Sequence, residues 1–265
     1  MSSPHLFVSL FCYPLSKEAQ AKGTDEQRLA RLQVELGLKA KWPGFRTLYH
    51  ARTLGEVNLH LDCSTLIAKA RSAAASAFLA DRAADVWLSI DDDAEADGRT
   101  LQIAIEACRA GSHFVVLPQV NGYAEANGTR SINVRFLDDG RPPEDVEVFR
   151  CSRGDTRLAE IAFGGCSLMV ASREAIDWMV GAYPELACPK SERPLHALFL
   201  ETVRDGAWIG EDASFFYRAR EAGLVPKVMI DCETKHAGML LPYSWFDEQR
   251  KAGSSSGDAA PPADA

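Results

Sequence analysis

Three aspartates, Asp91-Asp92-Asp93, stand directly after the apolar run Asp85-Val86-Trp87-Leu88-Ser89-Ile90. Adjacent carboxylates repel one another unless a cation or counter-charge lies close by. Oxygen-rich sites of this kind suit Mg²⁺ or Mn²⁺, which take one or two carboxylates together with substrate phosphates. Residues two apart in an extended segment face the same way, so Asp91 and Asp93 are expected to face one ion. A solvated acidic turn is the bland alternative, and the buried strand expected just before the triplet weighs against it. A second acidic pair, Glu211-Asp212, follows Gly210 and precedes Phe215, Phe216, Arg218 and Arg220. Acids at a helix start are favoured by the dipole, so Asp212 could be no more than a cap. On a site wall it would serve as a general base toward a hydroxyl.

Three further groups are candidates. His236, in Lys235-His236-Ala237-Gly238, carries an imidazole that suits Mn²⁺ beside carboxylates, although a lone histidine is more often filler. Arg71, in Lys69-Ala70-Arg71-Ser72, can pair with a carboxylate or phosphate at a strand end; the plain alternative is a charged helix face. Gly164 and Gly165, in Phe163-Gly164-Gly165-Cys166, expose backbone to close approach by a substrate, or simply form a tight turn.

The elements that must position these groups are legible in outline. His5 to Tyr13 is a first strand, residues 17–36 have helical spacing, and Trp42-Pro43-Gly44 predicts a turn into a second strand, Phe45 to His50. Ser64 is placed to cap a helix running to about Asp81, with Leu66, Ile67, Ala70, Ala74 and Phe78 at helical periodicity. Asp85 to Ile90 reads as a strand buried on both faces, Gly98 to Ala110 as a helix, and His113 to Leu117 as another buried strand. Strand and helix alternate through this half, which predicts an α/β fold with a mainly parallel sheet flanked by helices. Further on, strands are expected at 129–136, 145–151 and Cys166 to Val170, and helices from Ser172, near 194–205, and from Glu211 to Ala222, where Gly223 stops the last. Val225 to Asp231 is the final strand, and residues 251–265 read as a disordered low-complexity tail.

Composition sets the outer limits. The 265 residues are 46% hydrophobic and 25% charged, the proportions of a globular chain long enough to bury a full core. Lys and Arg number 29 against 37 Asp and Glu, a net charge of −8, so no cationic surplus serves phosphate-backbone binding. Seven scattered cysteines form no C-x-x-C pair, which removes zinc ribbons and thioredoxin-type sites and suits a reducing compartment. No apolar segment reaches the ~18 residues of a membrane span, and the opening strand has neither cationic leader nor cleavage site, so a cytoplasmic location is expected. P-loop, dinucleotide and hydrolase-elbow motifs do not occur.

In order and spacing the motifs resemble those of GT-A nucleotide-sugar glycosyltransferases, closest to bacterial and phage members of the group that includes the inverting family-two enzymes. The resemblance covers about residues 5–240. It rests on Lys69-Ala70-Arg71-Ser72, Trp87-Leu88-Ser89-Ile90-Asp91-Asp92-Asp93, Phe163-Gly164-Gly165-Cys166, Gly210-Glu211-Asp212-Ala213-Ser214-Phe215 and His236-Ala237-Gly238. It implies a GT-A-type, Rossmann-like sheet with a smaller mixed acceptor-side region. The nucleotide-sugar half would be about 1–120 and the acceptor half about 121–250. It implies Mn²⁺ or Mg²⁺ as cofactor and a UDP- or GDP-linked sugar as donor. Asp91 and Asp93 would be the Asp-x-Asp pair, Asp93 on the metal and Asp91 nearer the ribose, with Asp92 between them and His236 completing the metal shell. Asp212 would be the base, with Glu211 beside it. Ser9, Phe11 and Tyr13 would line the nucleobase pocket, Arg71 would approach the nucleotide, and Gly164 and Gly165 would face the acceptor. Relatives usually carry Asn after that Arg, where this chain has Ser72.

The acceptor class stays open among glycan, lipid-linked sugar, protein, small molecule and modified nucleic acid, the last disfavoured by the acidic charge. Competing readings are a non-catalytic metal- and nucleotide-binding protein of the same fold and a nucleotidyltransferase. The latter normally has a Gly-rich basic loop after the first strand, where this chain has Tyr13-Pro14-Leu15-Ser16-Lys17.

Overall fold

In a computed structural model of the chain, residues 3–11, 24, 27, 43–62, 66–124, 130–137, 143, 145–152, 154–191, 194–236, 239–241 and 244–248 are described. Its order is β1 (His5–Phe11), α1 (Pro43–Leu54), β2 (Glu56–Asp62), α2 (Ile67–Ala80), β3 (Val86–Asp91), α3 (Gly98–Ala107), β4 (Phe114–Val116), β5 (Val134–Phe136), β6 (Glu147–Cys151), β7 (Gly154–Gly164), β8 (Leu168–Ser172), α4 (Arg173–Ala182), α5 (Glu211–Glu221) and β9 (Lys227–Met229).

These strands form a central sheet in the order β2-β1-β3-β8-β4-β9-β7-β5, with β6 also paired to β7. Parallel ladders join β1 to β2 and β3, and β4 to β9. β8 runs antiparallel to β3 and β4, and β7 antiparallel to β9, β5 and β6. Every strand except β7 and β8 therefore points one way, and the sheet is mainly parallel as expected. Small antiparallel sheets sit around it, one of them formed by Ala94–Ala96, Thr234–His236 and Met239–Leu241. No helix among the described residues is long and apolar enough to cross a membrane.

Alternation along the central strands divides the core into two layers. Phe7, Phe11 and Trp87 face one side and pack with Ala74 and Phe78 of α2, Ile176 and Met179 of α4, and Phe215 and Phe216 of α5. Leu6, Val8, Leu10, Leu88 and Ile90 face the other, against Leu48 and Ala51 of α1 and Leu101 and Ala104 of α3. Each such side chain, fully buried, contributes roughly 1.5–3 kcal/mol. Because Asp91 continues the alternation of Trp87 and Ser89, its carboxylate emerges on the α2/α5 side.

Several sequence expectations need correction. Phe45 to His50 is not a strand; it lies inside α1. Pro43 takes the first helical position, where its missing N–H is no loss, and Gly44, Thr47, Leu48 and Ala51 form the buried helical stripe. The strand beside β1 is instead the alternating Glu56–Asp62. The stretch near 194–205 is not a helix either. Leu195–His196 pairs with Ala187–Cys188, and Thr202–Arg204 turns back on Ala207–Ile209 through Asp205 (φ 50°) and Gly206 (φ 78°), the left-handed pair that a two-residue hairpin demands. The eleven-residue β7 has no counterpart in the sequence reading, and the apolar strand expected from Cys166 starts at Leu168. The helix expected at 17–36 (residues 24 and 27 apart), the Ser64 cap and the tail at 251–265 lie outside the described residues.

Gly44 works through its size. A Cβ there would stand 2.8 Å from the Asp91 carbonyl oxygen and 2.9 Å from the Asp92 Cα, both backbone atoms. Gly44→Ala is expected to lose about 1–3 kcal/mol of stability, read as a lowered urea midpoint. In the comparison variant Gly181→Ala, the added methyl meets nothing within 4 Å near the end of α4 and should be neutral or slightly stabilising.

Candidate active site

Arg71 lies on α2 with its side chain only 3% exposed, and its guanidinium is surrounded by carboxylates. One amino group (Nη2) donates to both oxygens of Asp91, at 3.1 and 2.9 Å. The other (Nη1) donates to Glu211 Oε1 at 2.9 Å and to Asp212 Oδ1 in a very short contact. The Phe11 ring lies beneath, 5.9 Å from the guanidinium carbon. One residue thus ties the end of β3 to the first turn of α5. That turn is held in turn by Phe215, which stacks on Phe199 at 4.2 Å, and by the Ser214 hydroxyl, which donates to the Ile209 carbonyl at 3.0 Å.

One cation faces three carboxylates here, and the imbalance has electrostatic consequences. Burial works against the Arg71 charge, but Asp212 and Asp91 outweigh it and hold the guanidinium more firmly protonated than usual. Asp212 moves the other way: burial pushes its carboxyl above the usual range, against the pull of Arg71. The Cys166 thiol is fully buried, and burial with the neighbouring Asp212 charge raises its pKa far beyond normal. A carboxyl raised toward neutrality on a cleft wall is better matched to proton exchange with a hydroxyl than an ordinary one.

The acidic triplet divides at the strand end. Asp91 closes β3 and turns to Arg71, whereas Asp92 and Asp93 form the turn into Ala94–Ala96, and Asp93 faces His236 at 3.4 Å. The turn breaks the alternation that would have aimed Asp91 and Asp93 at one point. Among the described residues no three His, Cys, Asp or Glu side chains gather closely enough to hold one ion. His236 nevertheless lies where the acidic loop needs it, because Thr234–His236 pairs with Ala94–Ala96 and sets His236 opposite Ala94. Its Nδ1–H donates to the Val120 carbonyl at 3.2 Å, leaving Nε2 toward Asp93. The hydrogen bond from His236 holds Asp93 below the usual carboxylate range, and the same bond raises the imidazole. α1 braces the loop: Gly44 N–H donates to the Asp92 carbonyl at 2.9 Å, and the buried Thr47 hydroxyl links the Ala94 carbonyl and the Ala96 N–H, each at 3.0 Å.

A cleft of about 640 Å³ opens beside α5, lined by Asn133, Val134, Arg135, Phe163, Gly164, Gly165, Gly210, Glu211 and Asp212 among others. Gly164 and Gly165 give it a bare backbone rim, and both are required by crowding from behind. A Cβ on Gly165 would stand 2.3 Å from Asn133 Nδ2, and one on Gly164 would stand 2.9 Å from a Val116 methyl. Asn133 ties the rim to the rest of the site. Its carbonyl accepts from Gly165 N–H at 2.7 Å, its side-chain oxygen accepts from Gln119 N–H at 2.7 Å, and Gln119 meets Ser167, whose carbonyl accepts from Asp91 N–H at 2.8 Å.

Of the residues singled out in the sequence, Arg71, Asp91, Glu211 and Asp212 converge in one cluster, Asp93 and His236 in an adjoining pair, and Gly164 and Gly165 on the cleft. Ser9 does not line a pocket: it is fully buried on the α2 face, where its hydroxyl accepts from the Trp87 indole N–H at 2.8 Å. Phe11 is only 5% exposed and packs under Arg71 instead of presenting its ring to a base. Arg71 is taken up by carboxylates, so it is no free nucleotide contact. Asp92 sits in the turn between the two carboxylate groups, its backbone N–H bonded to the Phe11 carbonyl at 3.0 Å. Tyr13 lies outside the described residues. The sequence reading missed Cys166, Asn133, Gln119, Ser167 and Arg135. Gln119 alone carried a signal, as a polar residue right after the apolar run to Leu117.

No family model matches the chain, and no curated protein matches it in sequence. Among solved structures, the crystal structure of A197 from STIV has a TM-score of 0.44 at 16% identity, covering 90% of this chain and 93% of that one. The crystal structure of GalNAc-T7 with UDP, GalNAc and Mn²⁺ has a TM-score of 0.44 at 14% identity, covering 88% of this chain and 44% of that one. This chain therefore spans less than half the length of the second.

Removing the central cation should be costly. Arg71→Met leaves three carboxylates facing one another in a part-buried site and is expected to lose about 3–5 kcal/mol in urea denaturation, with Arg71→Lys recovering part of it. The His236 pair yields a pH prediction. With its pKa raised by Asp93, His236 should titrate by NMR above about 6.5, and Asp93→Asn should bring the midpoint down. Stability from the pair is greatest between the ordinary aspartate and histidine pKa values, roughly pH 4 to 6.5. It fades as pH rises through the elevated His236 pKa and as pH falls through the depressed Asp93 pKa.

Proposed function

We propose that this chain is a metal-dependent, GT-A-type glycosyltransferase that moves a sugar from a nucleoside-diphosphate donor to an acceptor hydroxyl, with inversion at the anomeric carbon. The observation that carries the reading is one of placement. Asp212, its carboxyl raised by burial, lies on the wall of an open cleft and is joined through Arg71 to Asp91, two residues from the Asp93–His236 pair. A displacement at a sugar carbon needs a base toward the acceptor on one side and compensation for a departing diphosphate on the other.

The donor set at Asp93 and His236 suits Mn²⁺ or Mg²⁺. It offers one carboxylate and one imidazole oriented by a backbone carbonyl, with phosphate and water oxygens left to complete the shell. When bound, such an ion neutralises charge on the leaving diphosphate. In the chain itself, Asp212 accepts the proton of the acceptor hydroxyl, and Arg71 fixes the carboxylate's position. The glycine rim lets the acceptor approach without side-chain obstruction. On this reading the donor belongs to the half of the chain up to about residue 120 and the acceptor to the half from 121 to 250.

One observation favours a second reading, a non-catalytic sugar-nucleotide-binding protein: Asp212 is ion-paired to Arg71 rather than free to take a proton. Two measurements separate them. A UDP- or GDP-linked sugar with Mn²⁺ should raise the thermal midpoint of the wild type, and Asp93→Ala or EDTA should abolish that shift. Asp212→Asn should keep the shift while turnover falls about 10²–10⁴-fold, the usual contribution of a general base. A wild type stabilised by the donor but inactive toward every acceptor class supports the binding protein.

A further inference from the structure

The cleft carries a charge pattern that the proton-transfer chemistry leaves unused. Its charged lining residues are Glu211 and Asp212 on the α5 side and Arg135 on the β5 side. The two acids already share Arg71 behind them. Arg135 has no ion pair among the described residues, although the chain holds 37 acidic residues against 29 basic ones. Its direction is set by the strand. Phe136 turns inward and packs edge-on against Phe246 at 6.1 Å, which turns Arg135 outward. In register Arg135 stands opposite Phe163, and both residues line the cleft with the glycine rim.

We infer that this cleft takes an acceptor bearing an oxyanion, a phosphate or carboxylate group, which Arg135 grips while the hydroxyl to be modified faces Asp212. The inference rests on the glycosyl-transfer reading for the role of the ligand, but not for its binding. A guanidinium fork matches the geometry of carboxylate and phosphate oxygens and can hold two of them at once. The acidic wall repels the same group, so the ligand has a single orientation: anion toward β5, neutral hydroxyl toward α5. Phe163, paired across the strands with Arg135, supplies apolar surface for the sugar ring. A charge on an edge strand also discourages pairing with another chain, and that role alone predicts no preference among ligands.

Calorimetric binding to the full chain tests this with three simple probes, glucose 6-phosphate, glucuronate and methyl glucoside. At least one anionic probe should bind the wild type about tenfold or more tighter than the neutral glucoside, and the stronger of the two identifies the oxyanion. Arg135→Gln should erase that preference, and Arg135→Lys should keep part of it, with UDP plus Mn²⁺ binding unchanged in both. Arg135 is exposed, so both variants should keep the wild-type thermal midpoint. The proposal is overturned if neither anionic probe binds at millimolar concentration, if the glucoside binds as well, or if Arg135→Gln binds the anions as the wild type does. If UDP and Mn²⁺ fail to bind while the Arg135-dependent preference persists, the glycosyl-transfer reading falls and the oxyanion site stands. If turnover depends on Asp212 but is indifferent to Arg135→Gln and to acceptor charge, the site falls and the transfer reading stands.

Discussion

A single buried guanidinium organises this molecule. Arg71 gathers Asp91 from the end of a central strand and Glu211 and Asp212 from the start of a helix about 120 residues later in the chain. One positive charge cannot neutralise three negative ones, so the cluster keeps a surplus of negative charge that burial makes costly. Burial, with Glu211 and Asp91 adding to it against the pull of Arg71, makes Asp212 harder to ionise than an ordinary aspartate, while the surrounding acids make Arg71 harder to neutralise than an ordinary arginine. Folding and chemistry are coupled here: the contact that docks α5 on the sheet is also the one that sets the state of the proposed base.

The two-layered core explains how these groups come to meet. Phe11, Trp87 and Phe215 lie in the same apolar layer that carries Arg71, so side-chain alternation delivers Asp91 to α2 and α5 and away from α1. The opposite layer holds the acidic turn from behind, through Gly44 and Thr47. Asp93 and His236 then meet because a short antiparallel ladder, Ala94–Ala96 with Thr234–His236, brings the end of the chain back to the strand exit.

Much of this was legible from residue order. The short apolar run before Asp91 reads as a buried strand and is one, and glycine at 223 marks the helix stop that the structure realises with a left-handed backbone (φ 85°). What was not legible depended on tertiary context. Pro43-Gly44 looks like a turn because both residues favour turns, yet here proline opens a helix and glycine permits contact with a strand end. Pairing of Arg71 with a carboxylate at a strand end is legible in its residue type, but nothing local shows that two further carboxylates from a distant helix will join Asp91 and occupy the group that the resemblance assigns to the nucleotide. Ser9 sits where the resemblance expects a pocket residue, but the Trp87 indole, 78 positions away, takes its oxygen in the core. Leu195 to Arg204 lost its expected helix to an Asp-Gly turn, whose left-handed backbone outweighs the helical preference of the leucines around it.

The Thr47 hydroxyl has a wider consequence. By donating to Ala94 and accepting from Ala96, it takes the place that another strand would hold along the free side of that short ladder. A helix side chain thus terminates a sheet, and the spacing of the Asp93 turn is inherited from the seating of α1. A shift of α1 would accordingly move Asp93 relative to His236 without replacing either residue. The inner stripe of that helix therefore fixes the geometry of an acidic loop that none of its own residues belongs to.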